Sequence, residues 1–172
     1  MTVFVLEVKG ELDNCTFAAA PNNEYKISVK NPLNDYEKKE GVTIQLSELV
    51  ELENAHVSDC HLAVKFEGAN KFATLTILPS TSTLLKPKKK NSPSFVPTAV
   101  TETETWTSIL AVECRGLEPC DYMSGDDEFV VTSEGGSTFN EEIDFSDEWC
   151  EYCEKGDAPV GVSNFQYRWT SI

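Results

Sequence analysis

The run VECRGLEPCDY, residues 112–122, is the most distinctive stretch of the sequence, and the fold is best read outward from it. It ends an apolar, strand-like segment, and it contains Gly116 and Pro119. Glycine accepts backbone angles that other residues avoid, and proline cannot donate to a strand ladder. The run therefore predicts a strand that turns at Gly116 and stops at Pro119. We expect Arg115 and Glu118 to pair across this turn; the alternative is that Arg115 binds a partner's carboxylate.

Short segments with a period of two lie on both sides of this run, as in half-buried strands. They lie near residues 2–9, 25–30, 42–46, 62–66, 73–77, 106–114, 129–131 and 160–169. Residues 47–53 have a signal for one or two helical turns, and residues 146–155 fit a helical turn or a loop. The sequence therefore predicts an all-β fold, a single-domain barrel-like or sandwich assembly of about eight short, mostly antiparallel strands.

The length of 172 residues suits one domain, residues 1–172, with a core of its own. The stretch 79–104 is rich in Pro, Lys, Ser and Thr and predicts a flexible loop within that domain. Its lysine run at residues 86–90 has an alternative interpretation as a nuclear-localisation or docking patch.

The net charge of −15 argues against binding to nucleic acid or to an anionic membrane surface, since both are held by Lys and Arg. Residues 113–157 contain 15 Asp and Glu against Arg115 and Lys155. Charge of this kind commonly serves solubility. The alternative is an acidic face for a basic protein partner, and we expect a monomer that binds another protein.

The first residues, MTVFVLEVKGEL, lack the basic lead-in and the long apolar core of a signal peptide. We therefore expect a cytoplasmic protein, with the nucleus as an alternative, and reduced thiols at its cysteines.

The pair Cys150 and Cys153 is the best metal signal, as a single C-x-x-C. Structural zinc takes four ligands, so further donors would have to come from Cys60, Cys114, Cys120, His56 or His61. Neighbouring glutamates disfavour thiolates at the pair. We interpret the two residues as plain cysteines, with a metal site or redox-active thiols as alternatives.

Catalytic signatures are not found in the sequence. It contains neither a Gly-x-Ser-x-Gly elbow nor a phosphate-binding P-loop, and its two histidines stand apart from any evident nucleophile. We therefore expect no enzymatic activity.

The run ECRGLEP, residues 113–119, resembles the signature of the eukaryotic CXXC-motif-containing zinc-binding proteins. Similarity continues through residues 137–145, 148–155 and 160–165, and it includes the opening strand at 5–16. The signature residues here are Glu113, Cys114, Arg115, Gly116, Leu117, Glu118 and Pro119.

The resemblance implies that this family holds zinc by two C-x-x-C pairs, one after the second strand and one before the fifth. The equivalent positions hold Asn31 and Asn34, then Phe66 and Ala69. The resemblance thus implies a divergent member that has lost both pairs, and we expect it to bind no cofactor. Without zinc the tip must be held by packing, with Phe66, Phe72 and Tyr36 as candidate fillers; the alternative is a mobile loop. We expect a non-enzymatic binding or adaptor protein; the alternative is a metal-binding or thiol-active protein using the C-x-x-C at residues 150–153.

Overall fold

The computed structural model describes residues 1–21, 23–52, 59–86, 90, 95–124 and 128–172. These residues form twelve strands and one 3₁₀ turn, so the all-β prediction is confirmed. The strands are β1 Thr2–Asp13, β2 Cys15–Ala19, β3 Glu24–Asn31, β4 Asn34–Gln45, β5 Leu62–Val64, β6 Ala73–Ile77, β7 Thr107–Arg115, β8 Glu118–Met123, β9 Phe129–Ser133, β10 Thr138–Phe139, β11 Trp149–Cys153 and β12 Ala158–Ser171. The 3₁₀ turn is Thr83–Leu85. Within the described residues, no helix is long and apolar enough to cross a bilayer.

The described residues form three antiparallel sheets. The largest has the strand order β11-β12-β1-β7-β6-β5 and curls into a half-barrel. The two smaller sheets have the orders β10-β9-β2 and β4-β3-β8. Strand β1 lies inside the large sheet, paired with both β12 and β7.

The side chains of β1 enter two separate apolar clusters because successive residues of a strand point to opposite faces. Leu6 and Val8 belong to the main core, which the three sheets share. Val3 and Val5 belong to a smaller cluster that also contains Leu78, Leu85 and Ala111. Both faces of β1 are therefore buried, which explains its nearly continuous apolar sequence.

Four phenylalanines tie the sheets together inside the main core. Phe17 of β2 lies with its ring centroid 5.5 Å from that of Phe129 of β9, in an edge-to-face arrangement. Phe145 and Phe165 of β12 have centroids 5.5 Å apart and contact the same group. Aromatic contacts of this kind contribute about 0.5–1.5 kcal/mol each beyond burial.

The expected number of strands, about eight, is too low. Residues 15–19 lie in none of the expected strand segments, but they pair with β9. Residues 149–153 were expected to be a helical turn or loop, but they pair with β12 from Trp149 to Cys153. Tertiary pairing outweighs the local capping signal there.

The predicted helical turns at residues 47–53 are also wrong for the described part, 47–52. A turn follows β4, and Val50 then forms an isolated bridge with Cys60. Two backbone hydrogen bonds of this bridge, 2.6 and 3.4 Å long, connect residues ten apart and leave no room for helical pairing.

Parts of the stretch 79–104 pack against the rest of the domain. Leu85 is 1 % exposed, and Val100 exchanges backbone hydrogen bonds of 2.7 and 3.2 Å with Phe17. Most of the lysine run at residues 86–90 lies outside the described residues, and so do residues 91–94. The flexibility of the stretch stays a prediction.

Candidate functional site

The signature run forms the turn between β7 and β8. Gly116 has a φ of +75°, so the predicted turn is confirmed at this residue. A Cβ atom there would also lie 3.3 Å from the Cβ of Ala73. Cys114 and Leu117 are buried on either side of the glycine, and burial raises the pKa of the Cys114 thiol to about 12. The run therefore holds two strands together.

Two expectations for this run are wrong. Arg115 pairs with Glu113, with Nε and Nη2 each 3.0 Å from Oε1, rather than with Glu118. The chain does not stop at Pro119 either, because β8 begins at Glu118 and continues through the proline. A proline is tolerated there because β8 is the edge strand of its sheet.

A tight hairpin between β3 and β4 carries Asn31 and Asn34, which pair across it. The side-chain oxygen of Asn31 accepts a hydrogen bond of 3.0 Å from the Leu33 amide. That of Asn34 accepts one of 3.1 Å from the Tyr36 amide. Both oxygens are therefore used to hold their own turn.

The connection between β5 and β6 carries Phe66 and Ala69, and it meets this hairpin. Phe66 is only 6 % exposed, and its carbonyl accepts a hydrogen bond of 3.1 Å from the Ala69 amide. The amide of Glu67 donates to the Glu37 carboxylate on β4, at 3.1 Å, and so links the two segments.

A cleft of about 450 Å³ lies between these segments, and we call it the tip cleft. The structure brings Asn31, Phe66 and Ala69 into its lining, whereas Asn34 is not among the lining residues. The full lining is Asn31, Leu33, Phe66, Glu67, Gly68, Ala69, Lys71, Phe72, Ala73, Arg115 and Gly116.

The expected apolar filling of the tip is only partly correct. Phe66 is buried, and Phe72 lines the cleft with half of its surface exposed. Tyr36 is 99 % exposed and fills nothing. Its strand, β4, is exposed along most of its length, so Tyr36 lies on a part of the strand that packs against little else.

The other predicted thiol site, Cys150 and Cys153, lies on β11. Residues three apart on a strand point to opposite faces, and their Cα atoms are about 10 Å apart. Accordingly Cys150 is exposed and Cys153 is buried. A disulfide needs Cα atoms within about 7 Å, so this strand does not bring the two thiols together.

Cys153 nevertheless has a polar environment that sequence reasoning missed. Its Sγ lies 3.1 Å from Ser133 Oγ and 3.4 Å from both Ser137 Oγ and the Gly156 amide. These hydrogen bonds, that of Ser133 first, lower the pKa of the thiol to about 7. The available signal was the small-residue run from Ser133 to Ser137, which ordinary turn composition also explains.

Two glycines close over the Cys153 sulfur. A Cβ on Gly135 would lie 2.7 Å from the backbone of Gly156 and 3.1 Å from this sulfur. The lowered pKa gives this thiol more thiolate character than an ordinary cysteine has, but the sulfur is nearly inaccessible, since the residue is 2 % exposed.

The remaining candidate ligands are engaged elsewhere or lie apart. His61 Nδ1 accepts a hydrogen bond of 2.9 Å from the Ile77 amide, and its Nε2 lies 3.1 Å from the Leu46 carbonyl oxygen. Cys60 is buried beside the bridge to Val50. Cys120 is half-buried on β8, and His56 lies outside the described residues.

Residues 141–157, which we call the acidic segment, present carboxylates along one stretch of surface. Every Asp and Glu in it is exposed. Ile143, Phe145, Trp149 and Cys153 are buried between them and anchor the segment to the core. The backbone amide of Ser146 lowers the pKa of the Asp144 carboxyl. The segment is therefore a fixed acidic surface for most of its length.

A model of the eukaryotic CXXC motif containing zinc binding proteins matches residues 5–170. The chain belongs to this family. The resemblance expected from residues 113–119 is thus confirmed. The family's name mentions zinc. Whether this chain binds zinc depends on the donor atoms that it presents.

Two curated relatives match part of the chain. The CXXC motif containing zinc binding protein of Xenopus laevis is 32 % identical over 77 residues, covering 45 % of this chain and 48 % of the relative. A UPF0587 protein of Caenorhabditis elegans is 34 % identical over 74 residues, covering 42 % of this chain and 44 % of the relative. The matched part thus spans less than half the length of either relative.

Two solved structures share the fold over nearly the whole chain. A hypothetical protein from Plasmodium falciparum superposes with a TM-score of 0.78 at 18 % identity, covering 99 % of this chain and 100 % of that one. The crystal structure of C1orf123 gives 0.76 at 20 % identity and covers 99 % of both chains. At these identities the likeness shows the fold alone.

The donors at the tip do not fit a tetrahedral zinc. Phe66 and Ala69 carry no atom that can coordinate a metal, and amide oxygens such as those of Asn31 and Asn34 are poor zinc ligands. Across the described residues, no group of three or more His, Cys, Asp and Glu side chains is placed to hold a metal ion.

Proposed function

We propose that this chain is a non-enzymatic binding or adaptor protein, a divergent member of its family that no longer holds the family's zinc at the tip. The observation that carries this proposal is the tip cleft, where two segments converge as a metal site requires but present an amide, a ring and a methyl group. A structural metal can join two loops. Here the two segments are joined instead by the packing of Phe66 and by the hydrogen bond between Glu67 and Glu37.

The zinc content of the purified protein tests this proposal. Protein expressed with zinc in the medium and purified without chelator is analysed by inductively coupled plasma mass spectrometry. We expect substoichiometric zinc, unchanged in Asn31→Ala and Asn34→Ala variants. One equivalent of zinc that these substitutions remove contradicts the loss of the site.

The contact surface that we propose is the acidic segment. Its carboxylates are exposed while its apolar side chains are anchored, so it offers a partner a charged surface that need not be ordered on binding. The partner is a protein with a basic surface, met by a monomer in the cytoplasm, with the nucleus as the alternative location.

Affinity capture with matched variants tests this surface. The charge-reduced variant replaces Glu141, Glu142, Glu148, Glu151 and Glu154 by Gln. The control variant replaces five exposed glutamates outside the segment, Glu24, Glu40, Glu48, Glu51 and Glu102. We expect salt-sensitive partners that wild type and control retain and the charge-reduced variant loses; partners unchanged in all three contradict the acidic surface.

The second candidate is a thiol-active or metal-binding protein that uses Cys150 and Cys153. The observation that favours it is the lowered pKa of Cys153. Alkylation of the native protein, read by peptide mass spectrometry, distinguishes the candidates. The adaptor proposal expects label at Cys150 and little at Cys153, and rapid labelling of Cys153, or a zinc equivalent lost in Cys150→Ser, favours the second candidate.

A further inference from the structure

Two exposed apolar side chains line the tip cleft, and a third is exposed on the same hairpin. Leu33 and Tyr36 on the β3–β4 hairpin are 95 % and 99 % exposed, and Phe72 at the start of β6 is 50 % exposed. Leu33 and Phe72 line the cleft, and the ring of Phe66 lies in its lining. Single exposed apolar residues are common, but a group of them around a concave surface marks an interaction site.

The charged groups of the cleft are mainly basic, in contrast to the rest of the molecule. Lys71 and Arg115 line it together with one carboxylate, that of Glu67. Lys65 adds a third cation, because its Nζ lies 5.8 Å from the centre of the Phe72 ring. The carboxylate that pairs with Arg115 lies outside the lining, so the lining itself is net basic although the chain carries a net charge of −15.

Arg115 is placed to bind a carboxylate from outside. Its contacts with Glu113 use Nε and Nη2, and the side chain remains 59 % exposed. The remaining N–H groups of a guanidinium form a planar fork that matches a carboxylate.

We propose that the tip cleft is a docking surface for an acidic peptide segment of a partner protein that carries an apolar anchor side chain. The anchor enters the cleft beside Phe66 and Phe72, and the flanking carboxylates meet Lys71 and Arg115. Charge complementarity selects this occupant over a basic one. The surface goes beyond the proposed acidic segment, since it has other residues and the opposite charge, and either can fail without the other.

A selection from a random displayed peptide library tests the proposal. The library is selected on the wild-type protein and then screened on Leu33→Ser/Tyr36→Ser and on a control, Leu49→Ser/Met123→Ser. All four side chains are more than half exposed, so both variants should keep the fold. We expect peptides with Asp or Glu flanking Phe, Leu or Trp that bind the tip variant about tenfold more weakly and the control equally well.

The charges are tested with the selected peptides by fluorescence anisotropy. Lys71→Gln/Arg115→Gln should weaken binding about tenfold at low salt and less at high salt. Basic or neutral selected peptides, or binding that is indifferent to the tip variant, overturn the proposal. Sedimentation velocity supplies the last arm: self-association that Leu33→Ser/Tyr36→Ser abolishes would make a second copy the occupant and overturn it as well.

Discussion

The chemistry of the Cys153 thiol depends on groups from two different turns. Ser133 and Ser137 come from the β9–β10 turn, while Gly156 comes from the β11–β12 turn. Together they lower its pKa from 9.0 to about 7. This effect belongs to the folded state, because the three groups are together only there.

The stability contributed by Cys153 should therefore depend on pH. Between about pH 7 and 9 the unfolded chain keeps the thiol proton that the folded chain has released. The free energy of unfolding gained from this group rises with pH through that window and is lost as the pH falls through 7. We expect the stability difference between wild type and Cys153→Ser, measured by urea unfolding, to grow from about pH 6.5 to about pH 9.

The background for that measurement is Ser133→Ala, which removes the largest cause of the lowered pKa. In this background the pH dependence of the Cys153→Ser effect should flatten. A difference that is constant across the window in both backgrounds would show that the thiol stays protonated in the folded protein.

Gly116 is the residue on which the β7–β8 turn depends. Alanine there must adopt a φ of +75° and place its Cβ 3.3 Å from the Cβ of Ala73. We expect Gly116→Ala to lower the free energy of unfolding by about 1–3 kcal/mol. Gly68 has nearly the same φ, +76°, but no atom within 4 Å of an added Cβ. Gly68→Ala should cost less, and equal costs would mean that the contact with Ala73 has no effect.

At the level of elements, part of the described stretch 79–104 packs on one face of the large sheet. Leu85 contributes to the cluster that contains Val3 and Val5 of β1. We expect Leu85→Ala to destabilise the domain by about 2–4 kcal/mol in urea unfolding. The adjacent Leu84, which is 38 % exposed, serves as the matched control, and equal small effects of the two substitutions would mean that the segment is not docked in solution.

Strands with a clear period of two could be predicted from the sequence, and β6 is an example, with Ala73–Ile77 matching its expected bounds. Strands whose neighbours decide their structure could not. Residues 15–19 and 149–153 lack a clear alternation and become strands because β9 and β12 pair with them. Likewise, the packing partners of Val3 and Val5 could not be predicted, because one of them, Leu85, lies far away in the sequence.

For the whole molecule, the resemblance placed the two halves of the family's metal site at residues 31–34 and 66–69. The structure brings both segments to one cleft, which a period-of-two analysis could not do because the segments join different sheets. The basic lining of that cleft was not predictable from the sequence either. It depends on Arg115 of β7 reaching the same surface as Lys71.

We propose that the tip keeps the position of a zinc site while its donors have been replaced. Restoring the donors in Asn31→Cys/Asn34→Cys/Phe66→Cys/Ala69→Cys tests it, with serine at the same four positions as a control of similar size. The measurement is zinc per chain by inductively coupled plasma mass spectrometry, after near-ultraviolet circular dichroism has established that each variant is folded with zinc present. We expect one equivalent of zinc in the cysteine variant and substoichiometric zinc in the wild type and the serine variant. A full equivalent in the wild type, or none in the folded cysteine variant, would contradict it.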